Sequence, residues 1–245
     1  VATRTSVNNQ RILAAGGIVH ARTATPEFSA AGICWSRLWG VTRNPWNPEQ
    51  GSSGSSAGSA SSVAAGIVPF AIGTETLGSI VSPCTRCGVS GLRPTFGRVP
   101  RTGCMALTWS MDKIGTIARN VQDCGIVLGA INGFDPKDAG SVDRPFRWSM
   151  RQDARGLRVG FVPAWFEGEA GAKYRPVLDA LRDAGATLVE VAPPKVDAGP
   201  LTLPIVAEGA AAFEEITRSG SDARVAGDSN KVLENTDTRH RSIIK

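Results

Sequence analysis

A run of small residues constrains the fold of this chain most strongly. Residues 51–62 consist only of Gly, Ser and Ala, and an apolar stretch at 63–73 follows without a break. A flexible linker of similar composition stays polar on both sides. Here the apolar continuation has to be buried, which brings the hydroxyls and backbone N–H groups of the serine-rich run next to a core segment. The pattern predicts a built site, not a linker.

Helical and strand patterns alternate along the chain. The order strand, helix, strand predicts an α/β fold with a mixed, mostly parallel central sheet covered by helices. Asn120 is expected to cap one helix, with Asp123 completing an approximate capping box. Helices are predicted at 7–15, 56–65, 121–131, around Tyr174–Leu181 and at 203–218, strands at 18–21, 67–72, 157–162 and 187–191, and a loop at 42–50.

The length permits one domain. A chain of 245 residues can bury a substantial core, so residues 1–245 are interpreted as a single domain with 51–79 as its centre. The polar, weakly patterned stretch 135–155 is the expected soft joint. Residues 229–245 are polar and unpatterned, and we expect a poorly ordered tail there.

Charge and hydropathy restrict the partners. The net charge is +5, but the arginines are scattered and no basic run is interleaved with aromatic residues. The sequence therefore predicts a solvated basic surface without direct nucleic-acid binding. No apolar stretch approaches a membrane span, and no secretion signal is recognisable, so the expected location is the cytoplasm without a membrane anchor.

Five cysteines make an odd number in a chain too large to need disulfides, which predicts reduced thiols. Cys84 and Cys87 form a Cys-x-x-Cys motif without a second pair, and the chain has only two histidines. A four-ligand zinc site is therefore not expected. We interpret both cysteines as small core residues.

Two motifs carry a family resemblance. Ser53–Ser59 reads SGSSAGS and Gly73–Ser79 reads GTETLGS, with Ser79 placed 24 positions after Ser55. They resemble the two halves of the amidase signature, the hallmark of Ser-Ser-Lys amide hydrolases. Further matching segments extend the resemblance over about residues 11–135: 13–19, 26–28, 87–98, 112–115 and 117–123.

The resemblance implies a mechanism. Ser79 would be the nucleophile that cleaves a carboxamide C–N bond through an acyl-enzyme, and Ser55, following a cis Gly54–Ser55 bond, would relay the proton to a neutral Lys. The backbone N–H groups of Thr76, Leu77 and Gly78, with that of Ser79, would form the oxyanion hole. This chemistry implies no metal and no organic cofactor.

Three departures from the family pattern concern single residues or a pair of residues. Leu77 stands where the family usually has Gly, which would strain the backbone if the position needs a positive φ. Glu75 replaces a common Asp and Val81 a common Arg, so a usual charge pair near the nucleophile is expected to be absent. Thr116 replaces a usual Pro.

The fourth departure concerns the catalytic Lys. No Lys precedes Lys113, and the Asp112-Lys-Ile-Gly context of Lys113 resembles a different, structural segment of the family. By position the family's Lys falls before residue 1. We therefore expect the nucleophile-bearing part of an amidase, without the Lys segment and the C-terminal part, and inactive alone. A non-catalytic truncated product and a component of an amidotransferase-type complex are the alternatives, since the family includes the glutamyl-tRNA amidotransferase A subunit.

Rival sites are weaker. Gly54–Gly58 matches the Gly-x-Ser-x-Gly elbow of α/β-hydrolases, with Ser56 as nucleophile, but no hydrophobic strand precedes it. The glycine spacing of 73–78 is Walker-like, yet no Lys follows Gly78. The expected substrate is a small-molecule amide, and a homodimer or a partner subunit stays open. Three tryptophans are read as loop anchors in preference to an aromatic pocket: Trp35, Trp39 and Trp46.

Overall fold

Two compact units make up the part of the chain that the structure describes. One unit comprises the described residues up to Trp148 and from Leu201 onward, and the other spans Ser149–Pro200. The change at Trp148 lies inside the predicted joint at 135–155, and the single domain stays a prediction. The predicted tail at 229–245 lies outside the described residues. This computed structural model describes residues 5–36, 39–150, 153–193, 195–197 and 199–220.

The first unit contains most of the regular structure. Its helices are α1 (Val7–Ala14), α2 (Ala57–Ala64), α3 (Val81–Cys87), α4 (Val121–Ile131), α7 (Leu203–Ala212) and α8 (Glu214–Arg218). Its strands are β1 (Trp35–Ser36), β2 (Gly40–Val41), β3 (Arg43–Asn44), β4 (Asn47–Gly51), β5 (Phe70–Glu75), β6 (Ser90–Leu92) and β7 (Lys113–Ala118).

The sheet next to the serine-rich run has the order β5-β7-β6, and β7 pairs antiparallel with both neighbours. Strands β5 and β6 therefore point in the same direction, as a strand-helix-strand unit through α3 requires. The α/β class and the mixed strand directions are as predicted. The expectation of mostly parallel pairs is corrected among the described residues, because β7 inserts between the two parallel strands and the remaining pairs of this unit are hairpins.

Helices cover both faces of this sheet. On one face, α2 and α3 pack against β7 through a buried cluster that includes Val63, Ile80 and Ile117. On the other face, α1 and α4 form a second cluster with Ile114 of the same strand and Ile131. Since side chains alternate across a strand, Ile114 and Ile117 point to opposite faces. The predicted cover of helices is confirmed.

Helix α4 matches its predicted bounds. The Asn120 side chain accepts a hydrogen bond from the Asp123 backbone N–H at 2.8 Å, and its amide donates to the Asp123 carboxylate. This reciprocal contact is an approximate capping box, as expected. Arg11 of α1 donates to the carbonyls of residues 131–134 at the other end of α4, where a cation is favoured.

Three expectations are wrong in position. Residues 18–21 form no strand, because Ile18 is 86% exposed and has no pairing partner in the described structure. The predicted loop at 42–50 is the hairpin β3–β4, whose polar strands are largely exposed apart from Asn44 and lack an apolar alternation. The strand predicted at 67–72 starts and ends three residues later, as β5, because the apolar run begins within the turn after α2.

The second unit contains β8 (Arg158–Phe161), α5 (Gly168–Ala172), α6 (Arg175–Asp183) and β9 (Thr187–Glu190). Strands β8 and β9 pair in parallel. The predicted strands at 157–162 and 187–191 and the amphipathic helix between them are confirmed within a residue or two. Leu178 is the buried residue of α6.

The helical stretch predicted at 203–218 is confirmed as α7 and α8, interrupted at Phe213. Glu208 accepts hydrogen bonds from the backbone N–H and the hydroxyl of Ser110, and Phe213 packs on Phe28 at 4.7 Å between ring centroids. This stretch therefore borders the loops of the first unit. Within the described residues, no helix combines the length and apolarity that crossing a membrane requires.

Candidate active site

Serine hydroxyls fasten helix α2 to strand β5. The Ser56 Oγ donates to the Thr74 carbonyl and accepts from the Thr74 N–H, both at 3.0 Å. One turn later, the Ser59 Oγ donates to the Ile72 carbonyl at 2.8 Å. Both serines are buried, so these bonds are shielded from water. The small, polar composition of the run thus serves a close contact between a helix and a strand edge.

A backbone hydrogen bond joins the two signature motifs. The Ser56 N–H donates to the Ser79 carbonyl at 3.1 Å. Ser55, which precedes Ser56, is 1% exposed, and the Gly54–Ser55 peptide bond is cis, as predicted. The candidate relay and nucleophile therefore lie on adjoining segments. Both residues belong to the described part of the chain, where their hydroxyls make no direct hydrogen bond with each other.

The segment before the cis bond is held by its own contacts. Ser53 has φ +64°, in the left-handed region that non-glycine residues rarely adopt. Its hydroxyl contacts the Ser82 hydroxyl at 2.7 Å and donates to the Gly32 carbonyl at 3.3 Å. Ser53 thus connects the first motif to α3, which begins just after Ser79.

The turn that carries Ser79 is organised around a buried carboxylate. Glu75 is 1% exposed, and its Oε2 accepts hydrogen bonds from the backbone N–H groups of Ile80 and Val81 at 2.8 and 3.0 Å. Burial alone would raise the pKa of Glu75, but the N–H groups of Val81, Ile80 and Gly78 and the Arg93 charge outweigh it and lower the pKa below its usual value. Glu75 is therefore an anion that closes the turn.

The expected loss of a charge pair is corrected by the structure. Arg93, just after β6, places its Nη1 3.3 Å from the Glu75 Oε1. The cation that Val81 cannot supply is Arg93, which follows β6 and lies 18 residues after Glu75 in the chain. The backbone strain expected at Leu77 is also absent. The positive φ of the turn, +86°, is that of Gly78, and Leu77 is not among the residues with positive φ.

A cavity of about 350 Å³ lies beside these motifs. Its polar wall includes Ser55, Thr74, Thr76 and Lys113, and its apolar wall includes Phe28 and Leu107. Ser79 is partly exposed and is not among the lining residues. The structure therefore brings the relay candidate and the first oxyanion candidate to one cavity, with the nucleophile candidate next to it.

The start of β7 holds Thr76 at two points. The Thr76 Oγ1 donates to the Asp112 carboxylate at 2.5 Å, and the Lys113 Nζ donates to the Thr76 carbonyl at 2.9 Å. The second Asp112 oxygen accepts from the N–H groups of Leu107 and Thr108, at 2.8 and 3.0 Å. Asp112 thus connects the turn to the loop that forms the apolar wall of the cavity.

A second ion pair stiffens the cavity wall. The Asp138 carboxylate accepts hydrogen bonds from the backbone N–H, Nε and Nη2 of Arg101, at 2.7, 3.2 and 3.1 Å. Burial alone would raise the pKa of Asp138. The hydrogen bonds from Arg101 and from the Gly140 N–H outweigh this effect, and the net pKa is below its usual value. The Arg101 guanidinium also stacks over Phe96, 4.6 Å from its centroid.

Sequence reasoning missed these supporting residues. Arg93, Asp112 and Lys113 act on Glu75 and Thr76 from 18 to 37 positions away, and the pairing of β7 with both β5 and β6 brings them together. The sequence context of Lys113 indicates a structural segment. Its side chain nevertheless enters the cavity wall.

The cysteines occupy the predicted environment. Cys84 and Cys87 are buried in the cluster between α2, α3 and β7, and all five thiols are free. Burial, with smaller contributions from Cys124, Cys87 and Glu75, raises the pKa of Cys84 to about 12. Both residues of the Cys-x-x-Cys motif are thus core side chains, as expected. Cys104 is exposed and lines the cavity.

The three tryptophans interpreted as loop anchors, Trp35, Trp39 and Trp46, are not among the residues that line the cavity. The Trp46 indole N–H donates to the Cys87 carbonyl at 2.9 Å, although 73% of the residue is exposed. This contact fits an anchor between the hairpin β3–β4 and the end of α3. Trp35 and Trp39 are also exposed, at 45% and 79%.

The rival nucleophile is not supported by its surroundings. Ser56 is buried, and its hydroxyl is shared between the N–H and carbonyl of Thr74. The strand before it, β4, consists largely of exposed residues instead of the hydrophobic strand that the α/β-hydrolase elbow needs. Ser56 is therefore a structural link between α2 and β5.

Comparison with known proteins identifies the family. A family model described as amidase matches residues 1–242. The chain belongs to the amidase family. Relatives include the A subunits of two glutamyl-tRNA(Gln) amidotransferases: that of Roseiflexus sp. (strain RS-1), 39% identical over 202 residues, and that of Nitratidesulfovibrio vulgaris, 41% identical over 195 residues. The matches cover 80% and 76% of this chain.

Solved structures agree on the fold of this amidase-family chain. The native peptide amidase from Stenotrophomonas maltophilia superposes with a TM-score of 0.76 at 32% identity, over 97% of this chain and 51% of that one. The A subunit of the glutamyl-tRNA(Gln) amidotransferase from Thermotoga maritima gives 0.78 at 29% identity, over 99% and 53%. The chain spans 40–41% of the length of the two curated relatives and about half of the solved structures.

Proposed function

We propose that this chain carries the nucleophile and proton-relay part of an amide hydrolase. The Ser79 Oγ attacks the carbonyl carbon of a small-molecule carboxamide, and the C–N bond breaks to leave an acyl group on Ser79. The Ser79 proton passes through Ser55 to a base and then to the departing nitrogen. Water hydrolyses the acyl-enzyme in a second step. This mechanism uses hydroxyls, an amine and backbone N–H groups, without a metal or an organic cofactor.

One observation supports the proposal above the others. The hydrogen bond from the Ser56 N–H to the Ser79 carbonyl places the segment of Ser55 against that of Ser79. Ser55 is buried and lines the cavity, whereas the hydroxyl of the neighbouring Ser56 is hydrogen-bonded to the backbone of Thr74. Of the serines in the run, Ser55 is therefore the one suited to relay a proton between a nucleophile and a base.

The oxyanion hole is assigned to the N–H groups of Thr76, Leu77 and Ser79, with that of Gly78 as the least available of the four, because it also interacts with the Glu75 carboxylate. These groups belong to a turn held by Glu75, whose carboxylate binds the amides of Ile80 and Val81. A donor fixed in this way needs no reorganisation when negative charge develops, and loss of one such donor typically costs about 10²–10³ in rate.

The final proton acceptor is proposed to lie outside residues 1–245. In the family that the chain resembles, the base is a Lys, and the corresponding position falls before residue 1. We therefore expect turnover to require a Lys-bearing segment, supplied in the same polypeptide or in trans. A positioned general base typically contributes about 10²–10⁴ in rate, so residues 1–245 by themselves should be close to inactive.

A labelling experiment tests the assignment. The purified chain is treated with a fluorophosphonate, with and without an added Lys-bearing segment from an amidase of the same family, and modified peptides are mapped by mass spectrometry. We expect labelling at Ser79 that depends on the added segment, disappears in Ser79→Ala and slows by about 10²-fold or more in Ser55→Ala.

Ser62→Ala is the matched control. Its hydroxyl donates to the Ser59 carbonyl within α2, so it should label like the wild type. Labelling of another serine, or equal labelling of Ser79→Ala, would contradict the nucleophile assignment. A folded chain that stays unlabelled after addition of the segment would favour a non-catalytic product.

A partner-dependent role is the second candidate. It is favoured by the relatives, which are named as A subunits of glutamyl-tRNA(Gln) amidotransferases. In this role the chain would release ammonia for use by a partner chain, without binding nucleic acid directly. Copurification of a second chain that raises Ser79 labelling would support it, while a lone chain or homodimer with full labelling would oppose it.

A further inference from the structure

Lys113 reaches the turn that carries the proposed oxyanion donors. It is the first residue of β7 and lies opposite Glu75, the last residue of β5. Its side chain extends past this pair, and the Nζ donates to the Thr76 carbonyl at 2.9 Å. A cation therefore contacts the main chain three residues before Ser79.

The contact controls a particular amide. The Thr76 carbonyl and the Leu77 N–H belong to one planar peptide unit and, in the trans form, point in opposite directions. Holding the oxygen therefore fixes the direction of the N–H. A charged donor on the oxygen also polarises the unit, which strengthens the N–H as a donor. Lys113 thus acts on the Leu77 amide without touching it.

Asp112 restrains the same residue from its side chain. The Thr76 Oγ1 donates to Asp112, which also accepts two N–H groups of the cavity loop. With the side chain held by Asp112 and the carbonyl held by Lys113, rotation of Thr76 is restricted at two points. Adjacent residues at the start of β7 therefore determine the conformation at the start of the turn.

We propose that Lys113 is a positioning residue that aims and polarises the Leu77 N–H toward the oxyanion of the reaction. The inference rests on the proposed function, which assigns Leu77 to the oxyanion hole. Lys113 is not the missing base in this arrangement, because its ammonium is a donor to the Thr76 carbonyl and touches neither serine. Lys113 acts only on the peptide unit between Thr76 and Leu77.

Charges on three strands or their ends face the ammonium. Burial lowers the pKa of Lys113, and the Arg93 charge lowers it further, while Glu75 and Asp112 oppose both effects; the net pKa is lowered. Three more charged residues line the same cavity, namely Arg101, Lys137 and Asp138. The contact should therefore be lost at a lower pH than the pH at which a free lysine loses its proton.

Nuclear magnetic resonance of the full chain reads the contact without catalysis. The ¹⁵N shift of the Leu77 amide is followed with pH beside the ¹⁵Nζ signal of Lys113. We expect the two to titrate with the same midpoint. Lys113→Met should displace the Leu77 resonance and abolish its titration, and Lys113→Arg should restore its neutral-pH position without a titration up to about pH 11, since Arg stays protonated.

Lys137→Met is the control, because Lys137 lines the same cavity from the loop after α4 and not from the start of β7. It should leave the midpoint at Leu77 unchanged. A Leu77 titration that persists in Lys113→Met, or a Leu77 signal that ignores the Lys113 midpoint in the wild type, would overturn the proposal. If Lys113→Met fails to fold, the wild-type and Lys113→Arg titrations decide.

Labelling rates distinguish failure of the positioning role of Lys113 from failure of the proposed hydrolase function. Where Ser79 reacts with fluorophosphonate, Lys113→Met should slow labelling by about 10-fold or more and Lys113→Arg should restore most of the rate. An unchanged rate in folded Lys113→Met would refute the positioning role while the nucleophile assignment stands. Labelling absent from every variant, with Leu77 still titrating with Lys113, would refute the function and leave the peptide contact intact.

Discussion

Helices α2 and α6 are stabilised in opposite ways. In α2, five of eight residues are buried, and its contacts are serine hydroxyls, a glycine and small apolar side chains. In α6, Leu178 is buried while Val177 and most of the helix are exposed. Helix α6 therefore needs the right periodicity and one apolar anchor. Helix α2 needs particular partners at particular atoms, which is what a reaction site requires of its scaffold.

The largest effect is expected where α2 tolerates no additional atom. A Cβ at Gly58 would lie 2.4 Å from the Ala24 backbone N and 2.8 Å from its carbonyl oxygen, and backbone atoms cannot rotate away. Gly58→Ala should lower the free energy of unfolding by about 3 kcal/mol or more. Urea denaturation followed by circular dichroism measures the loss.

Gly32→Ala is the matched control for Gly58→Ala, because a Cβ at Gly32 meets nothing within 4 Å. We expect a change within about 0.5 kcal/mol. Equal effects of the two substitutions would mean that the close approach of α2 to residue 24 does not exist in solution.

The same contrast explains what could be predicted from sequence. Periodicity located α6 and its flanking strands, and cap chemistry located α4, because these signals are local. The motif resemblance predicted the cis bond between residues 54 and 55, which the structure contains, and it is the source of the proposal for Ser55 and Ser79. The partners Arg93, Asp112 and Lys113 were missed, since only the pairing of distant strands brings them to the turn.

Errors of element type follow the same principle. The hairpin β3–β4 has polar strands without apolar side chains, so no alternating pattern marks it, and the Asn-rich turn dominates the local signal. Residues 18–21 are apolar enough to suggest a strand, but no neighbour pairs with them in the described structure. Strand formation depends on a partner that a local pattern does not contain.

In α6, the largest effect should come from its anchor. Leu178 is 8% exposed, and Leu178→Ala should lower the stability of the second unit by about 2–3 kcal/mol, the low end for such truncations because the site lies near the surface. Native-state hydrogen exchange of residues 153–193 measures it locally. Val177→Ala, at a position 55% exposed, should change exchange little. Similar effects of both would contradict the single-anchor description.

The turn that carries Ser79 should show a pH dependence that α6 lacks. Glu75 has a lowered pKa, so its stabilising contribution is complete above the unfolded value of 4.5 and is lost as pH falls through the folded pKa. At pH 7, Glu75→Gln should cost about 2 kcal/mol, because hydrogen bonds to a buried anion are lost. Urea titrations from pH 7 to 3 should show this difference shrinking below pH 4.5. A constant difference would mean that Glu75 is not ionised in the fold.

The hydroxyl contact between α2 and β5 should have a smaller effect. Ser56→Ala leaves the Thr74 N–H and carbonyl without their buried partner, which should cost about 1–2 kcal/mol. Ser62→Ala removes a bond within α2 itself and should cost less than about 0.5 kcal/mol. Thermal unfolding of both variants compares them. A reversed order would mean that the helix is positioned by its apolar side chains alone.

The smallest effect is expected at the surface of α6, where it sharpens the contrast between specific and general contacts. Asp179 and Arg182 form an ion pair at 2.6 Å with side chains 68% and 53% exposed, so a double-mutant cycle should give a coupling of about 0.5 kcal/mol or less, falling with salt.

The same cycle on Glu75 and Arg93, where the carboxylate is 1% exposed, should give a larger coupling that resists salt. The exposed pair has the shorter contact, 2.6 Å against 3.3 Å. A larger coupling between Glu75 and Arg93 would therefore show that the strength of the pair depends on burial of the anion and its fixed N–H donors. The length of the contact would not explain it. Equal couplings would remove the proposed difference between the two regions.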